Sequence, residues 1–309
     1  MQRAAHSARR KGTPIEGSSW TPYLFISPVA LFLLATLGGP LLQEFYISFT
    51  DTTLMRPNDG AFVGLSNYHF VLSNPDFHYV IWITLLYTLG SVVFGVGLGL
   101  GTALLMNHDF RGRSVVRALV TIPWAAPSVA VALIFSWMYN AQYGIFTHVQ
   151  NALGLPSGAE NWLDSTTYAL PAVLIATVWQ IFPFSAVVLL AALQSVPGEV
   201  REAAIIDGAD QLNIFKTVTW PTIAPTVGLL CLFSTIWSLR RFDLIWVLTG
   251  GGPLGATNTL VTELYREGFI YRSLGTAAAI GMIGLAIASL VTLFYYAATL
   301  RAEAKVRGR

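Results

Sequence analysis

Three groups of residues in this 309-residue chain carry chemistry, and it is the chemistry of binding rather than of bond breaking. The first is Thr177, Gln180 and Phe184, whose i, i+3, i+7 spacing puts a hydroxyl, an amide and a ring on one helix face. An amide beside a ring suits a sugar, whose hydroxyls need donors and acceptors and whose C–H faces stack on aromatics. The same spacing serves an interhelical hydrogen bond with aromatic packing equally well. The second group is Leu239-Arg-Arg-Phe-Asp243, followed by Ile245 and by Leu248-Thr-Gly-Gly-Gly-Pro253. Arg240 and Asp243 stand three residues apart, close enough to pair across one helical turn. The third is a polar stretch containing Glu202, Ala203, Ala204, Asp207, Gly208 and Ala209, which continues through Phe215 to Pro221 and Pro225.

Catalysis finds no support. The chain has no G-x-x-x-x-G-K-[ST] phosphate loop, and Gly250-Gly-Gly-Pro253 lacks the lysine that would follow. H-E-x-x-H is absent too. The histidines at 6, 69, 78, 108 and 148 fall on tails or loops without ligand spacing, so no metal site is expected. Cys231 is the single cysteine, which excludes an intrachain disulfide and reads as a small core residue.

The elements that position these groups are membrane helices. Hydrophobic residues make up 54% of the chain and charged residues 11%, against about a quarter in soluble domains; the mean hydropathy is +0.59. Spanning a bilayer takes about 20 mostly apolar residues. Six segments qualify, at roughly 22–48, 79–106, 114–139, 168–195, 222–248 and 273–300. The chain is therefore an all-α integral membrane protein, with a tail over 1–21, a transmembrane domain over 22–300 and a second tail over 301–309. The first apolar run is too long for a signal peptide and reads as a retained span. Prolines 28, 40, 123, 127, 171 and 183 predict kinks within or near spans. Gly95, Gly97, Gly99 and Gly101 in the second span predict close helix packing, and Gly281 and Gly284 suggest a second contact.

Lysine and arginine distribution orients the chain. One side holds Arg3, Arg9, Arg10, Lys11, then Arg111, Arg113, Arg117, then Arg201, Lys216, and lastly Arg301, Lys305, Arg307 and Arg309. The other side holds Arg56, Arg266 and Arg272. That bias puts both termini and the 197–221 loop in the cytoplasm. The basic tails are topology determinants, with no aromatic-and-basic pattern for nucleic acid. Within the loop, Pro197 suits the first turn of a short helix, Gly208 its left-handed end, and Asp210 the cap of the next helix. The outward loops at 49–78 and 140–167 carry Asp51, Asp59, Asp76, Glu160 and Asp164 among aromatics, which suits either protein docking or an interfacial aromatic belt. Depth raises a conflict. Gln180 lies about 18 Å along its helix from Tyr168, near mid-membrane, whereas Arg240 lies about 27 Å beyond Thr222. Either the fifth helix begins below the membrane, or Arg240 and Arg241 form an outer gate or snorkel to the interface.

The loop resembles the coupling signature of binding-protein-dependent ABC importer permeases: E-A-A, three residues, then Gly, with a hydrophobic residue and prolines downstream. Leu239–Pro253 is similar to a second signature, found in the carbohydrate-uptake type related to the maltose and glycerol-phosphate permeases. The resemblance covers roughly residues 22–300. It implies a six-helix bundle with a cytoplasmic coupling helix, in which Glu202, Ala203, Ala204, Asp207, Gly208 and Ala209 meet an ATPase. It also implies that Leu239, Arg240 and Asp243 line a sugar pathway opposite Gln180 and Phe184. Charges replace the amides of the maltose type. The implied assembly lies in the cell (plasma or inner) membrane, in contact with lipid. It holds a second homologous permease, two copies of an ATPase that uses ATP and Mg, and an extracytoplasmic substrate-binding protein. This chain itself would bind no cofactor and import a di- or oligosaccharide. Two other readings remain open: import of glycerol phosphate or a glycerophosphodiester, which Arg240 and Arg241 would favour, and a membrane scaffold or enzyme without ATP coupling.

Overall fold

The computed structural model describes residues 20–154 and 162–307. Arg3, Arg9, Arg10, Lys11, Glu160 and Arg309 lie outside the described residues. The chain divides into two compact units, with the boundary between Tyr46 and Ile47. The first holds helix α1 (Pro22–Ile47), an apolar rod long enough to cross a bilayer. Its π-helical turn at Leu34–Gly38 precedes Pro40, whose ring would otherwise crowd a carbonyl one turn back.

The second unit is built around α2 (Pro75–Asn107) and α5 (Ala169–Gln194). Asn74 caps α2 by accepting the Asp76 amide at 2.9 Å, and Pro75 occupies the first turn, where its missing N–H costs nothing. The two helices approach closely through Gly95 and Gly99. A Cβ added at Gly99 would stand 2.5 Å from Ser185 Cβ, and one at Gly95 3.0 Å from Ile181 Cδ1. Gly97 and Gly101 point into open space, so half of the glycine series makes the contact. The helix α10 (Leu274–Arg307) closes the unit, with Gly284 facing Leu260 of the short helix α9 (Leu260–Tyr265).

The expected third span is two half-helices, α3 (Arg113–Ala125) and α4 (Ser128–Met138), bent by 97°. Pro127 supplies no N–H and drives Ala126 into an extended conformation with ψ 136°, which no α-helix tolerates. Among the described residues, five continuous helices thus have the length and apolarity of spans, and the bent pair makes six when taken as one. The fifth expected span also departs from 222–248. It starts earlier as α7 (Gln211–Leu239), breaks at residues 240–242, and resumes as α8 (Asp243–Thr249). Among the described residues, strand pairing is confined to isolated bridges.

These breaks separate two apolar cores. One joins Val131 and Phe135 of α4 and the following Tyr139 to Leu244, Ile245 and Leu248 of α8, against Tyr87 of α2 and Ala172, Val173 and Ala176 of α5. The other joins Ile223 and Leu230 of α7 to Val96 and Met106 of α2 and Leu189 and Leu193 of α5. α4 and α8 belong to the first core alone, α7 to the second alone. The loop after α1 is pinned to the start of α10 by Gly275 N–H, which donates to the Thr52 carbonyl at 2.9 Å, and to the helix Ser66–Ser73 by Asn67 Nδ2, which donates to the Thr50 carbonyl at 2.8 Å.

Candidate substrate pathway and coupling loop

Helix α6 (Gly198–Ile206) begins immediately after Pro197, which precedes it in extended conformation instead of occupying its first turn. Its C-terminus closes with paired backbone bonds, Gly208 N–H to Ile205 O and Ala209 N–H to Ala204 O, both at 3.0 Å. This is the Schellman pattern, and it requires the left-handed residue that Gly208 supplies at φ 81°. Asp210 then caps α7 by accepting the Asn213 amide at 2.7 Å. The result is a rigid helix–turn–helix knob between two spans. Glu202, Ala203 and Asp207 are exposed on it, while Ala204 and Ala209 are half-buried at its closing turn. So are apolar groups that water alone would not favour: Val200 and Ile205 are exposed, and Ile206 is 85% exposed. Behind the knob a cavity of about 300 Å³ is bounded by Asn107, His108, Arg201, Gln211 and Phe215.

Within the bundle, Thr177 is fully buried and shares a 2.9 Å hydrogen bond with the Tyr87 hydroxyl of α2. Gln180, one turn on, is 5% exposed and engaged at both ends of its amide. Nε2 donates to the Ala126 carbonyl at 2.9 Å and to Ser128 Oγ at 3.4 Å, and Oε1 accepts from Arg241 Nη1 at 2.7 Å. The Ala126 carbonyl is one that the Pro127 break leaves without a helical partner. Gln180 therefore satisfies backbone exposed by one helix break and holds a guanidinium from another.

Phe184 faces a different environment. Its ring stacks at 5.5 Å on Trp124 and lies 5.1 Å from Trp237, which in turn meets Phe233. Trp124 is half exposed, so the array has an open aromatic face. Leu239 ends α7, Arg240 follows as its exposed cap, and Asp243 begins α8 and is likewise exposed.

The expected Arg240–Asp243 pairing is absent. Residues 240–242 leave the helix, which abolishes the i, i+3 geometry, and among the described residues Arg113 and Asp109 form the one salt bridge. Each charge instead sits at a helix end whose dipole favours it, the cation at the C-terminus of α7 and the carboxylate at the N-terminus of α8. The depth conflict also resolves. Arg241 bonds Gln180 directly, so the two are level, and the added length lies at the other end, where α7 starts at Gln211. The sequence reading left out Arg241 and Ser128, which bond Gln180, Tyr87, which bonds Thr177, and Trp124 and Trp237, which flank Phe184. A polar Tyr87 inside an apolar span was the available signal for one of them.

At the opposite end of the bundle from α6, the Gly250–Pro253 turn is knitted by Thr249–Thr257 (2.6 Å) and Asn258–Glu263 (2.6 Å) contacts. A cavity of about 380 Å³ beside it is lined by Asp76, Tyr79, Asn258, Glu263, Arg266 and Tyr271. Nearby, burial and the neighbouring Glu263 push the Glu267 carboxyl above the usual range, with Arg266 opposing. Among the described residues no cluster of His, Cys, Asp or Glu is arranged to hold a metal ion.

Comparison with known proteins accords with this architecture. Residues 95–303 match the family model described as "Binding-protein-dependent transport system inner membrane component". The trehalose/maltose transport system permease protein MalF of Thermococcus litoralis is 38% identical over 276 residues, covering 88% of this chain and 91% of that protein. The sulfoquinovosyl glycerol transport system permease protein SmoG of Agrobacterium fabrum is 32% identical over 272 residues, covering 88% of each. A chain of a bacterial ABC transporter that imports the acidic polysaccharide alginate shares the fold, with a TM-score of 0.78 at 22% identity over 91% of this chain and 96% of that one. The related alginate transporter, in complex with its pentasaccharide-bound periplasmic protein, gives a TM-score of 0.75 at 22% identity, over 89% and 92% of the two chains. With several apolar helices and a family match across most of its length, the chain is a multi-pass inner-membrane permease subunit belonging to the binding-protein-dependent ABC transport family.

Proposed function

We propose that this subunit pairs with a second, related permease and two ATPase subunits to import a di- or oligosaccharide delivered by an extracytoplasmic binding protein. The observation that carries the reading is the α6–Gly208–Asp210 knob, whose exposed Val200, Ile205 and Ile206 suit the apolar groove of a soluble motor domain. ATP and Mg are used by that motor and not by this chain, which lacks a phosphate loop. The knob faces the cytoplasm and both termini lie on its side, as the lysine and arginine bias favours. Thr177, Gln180, Phe184, Leu239, Arg240 and Asp243 mark the pathway. Phe184 with Trp124 and Trp237 offers ring faces, Arg240 and Asp243 offer exposed hydrogen-bonding groups beside Leu239, and Thr177 and Gln180 brace the wall from behind. Rings flanked by charged groups are suited to sugar recognition. Relatives named for trehalose, maltose and sulfoquinovosyl glycerol support a carbohydrate cargo.

The test is purification from native membranes followed by uptake in proteoliposomes. An associated ATPase, and ATP-dependent accumulation of labelled trehalose, maltose or a related glycoside, is the expected result. Isolation without an ATPase, or uptake independent of ATP, would overturn the reading. Phe184→Ala is expected to reduce sugar uptake severalfold while the complex still assembles.

A further inference from the structure

Two helix breaks fall at one level of the second unit, and one side chain joins them. The Ala126–Pro127 break separates α3 from α4, and the 240–242 break separates α7 from α8. On one side of that level, α4 and α8 share an apolar core with α2 and α5. On the other, α7 shares a different core with the same two helices. Between the cores, at the two breaks, lies a polar cross-link. Gln180 holds the carbonyl at the first break and the Arg241 guanidinium at the second.

We propose that Gln180 is a positioning residue for transport, which locks the α4–α8 pair in its resting position by bonding both hinges at once. Each break is a point where backbone already departs from helical geometry, so rotation there sacrifices no helical hydrogen bond. Because α4 and α8 pack on each other through Val131, Phe135, Leu244 and Ile245, they move as one body. Such a body tilts only if the Ala126 carbonyl and the Arg241 guanidinium exchange partners. Both groups hold their partner, since a lost bond leaves a bare carbonyl and a guanidinium short of an acceptor. Gln180 sets how reluctantly the resting state is left. The residue acts through Arg241 and the Ala126 backbone.

This inference rests on the importer reading, and its test separates the two. The complete importer, with partner permease, ATPase and binding protein, is reconstituted in vesicles, and ATP hydrolysis is measured with and without loaded binding protein. Gln180→Leu and Arg241→Met each remove the shared bond. Each is expected to raise unstimulated hydrolysis about ten-fold, the effect of losing one charge-assisted hydrogen bond, and to collapse the stimulation ratio. The double variant should go no further than the larger single effect, because one bond cannot be lost twice. Arg241→Lys, which keeps a donor, should recover part of the ratio. A folding defect would instead lower hydrolysis with and without binding protein together. If Gln180→Leu does not assemble, Gln180→Glu keeps the acceptor for Arg241 and loses the donor to Ala126, and its stimulation ratio is expected to fall in the same way. Assembled variants with the wild-type ratio, or single effects that add in the double variant, would sink the proposal. A wild-type complex that no loaded binding protein stimulates would sink the importer reading instead.

Discussion

Single residues in this protein have effects that their type alone explains. Gly208 sits at φ 81°, where a β-branched side chain costs ~1–2 kcal/mol, so Gly208→Val should fray the closing turn of α6. The expected outcome is a subunit that inserts and assembles but shows severalfold lower transport-linked ATP hydrolysis. Glu267 gives a pH signature. Its carboxyl is raised above 4.5 by burial and by Glu263, so the folded state holds the proton more tightly than the unfolded one. The stability this contributes is present in acid and is lost as pH climbs from the unfolded value through the raised one. Glu267→Gln should flatten that decline and raise the unfolding temperature at neutral pH relative to wild type, as thermal melts across pH 4–8 in detergent would register; an unchanged profile would refute it. Gly208 and the Asp210 cap were legible in the sequence because both effects are local. Arg241 was not, because its partner Gln180 lies 61 positions away and only the fold reveals the bond.

Among the elements, the α2–α5 contact offers a sharp contrast. A side chain at Gly99 meets Ser185 Cβ and the backbone at Ser185 and Ala186, none of which yields, whereas one at Gly97 meets nothing within 4 Å. Gly99→Val should therefore destabilise by ~1–3 kcal/mol and lower the melting temperature of the solubilised protein, with Gly97→Val near wild type. Equal melting temperatures would contradict the packing. The glycine spacing announced close packing without telling which face made it. Likewise, Pro127 announced a kink but not 97°, because the size of a bend depends on who satisfies the freed carbonyl. Here that is Gln180, from another helix. Apolar run lengths placed the continuous spans within a few residues. They misplaced the fifth, since the amphipathic start of α7 from Gln211 to Thr219 does not read as membrane-spanning.

For the whole molecule, sidedness is the property on which the proposed coupling depends. A cysteine placed at Asp210, in a background where Cys231 is replaced, should resist impermeant reagents in intact cells and react after permeabilisation. Labelling of intact cells would invert the topology and remove α6 from the compartment that contains ATP. Charge bias is the sequence signal that favours this orientation, because arginine and lysine stay where translocation is costly. The identity of the sugar was not readable, because in the proposed assembly a separate binding protein largely sets the cargo.

Ile206, 85% exposed at the tip of α6 beside Ile205 and Val200, has a meaning for the life of the subunit before it works. In the proposed assembly, a copy that has inserted but not yet met an ATPase partner presents an oily fingertip to the aqueous phase, the kind of surface that chaperones and membrane proteases seize. Stoichiometry would then be enforced by destruction of the surplus. Cells deprived of the proposed motor subunit should hold less of this permease, and Ile206→Ser should lengthen the orphan's half-life even as it weakens the proposed contact with that motor.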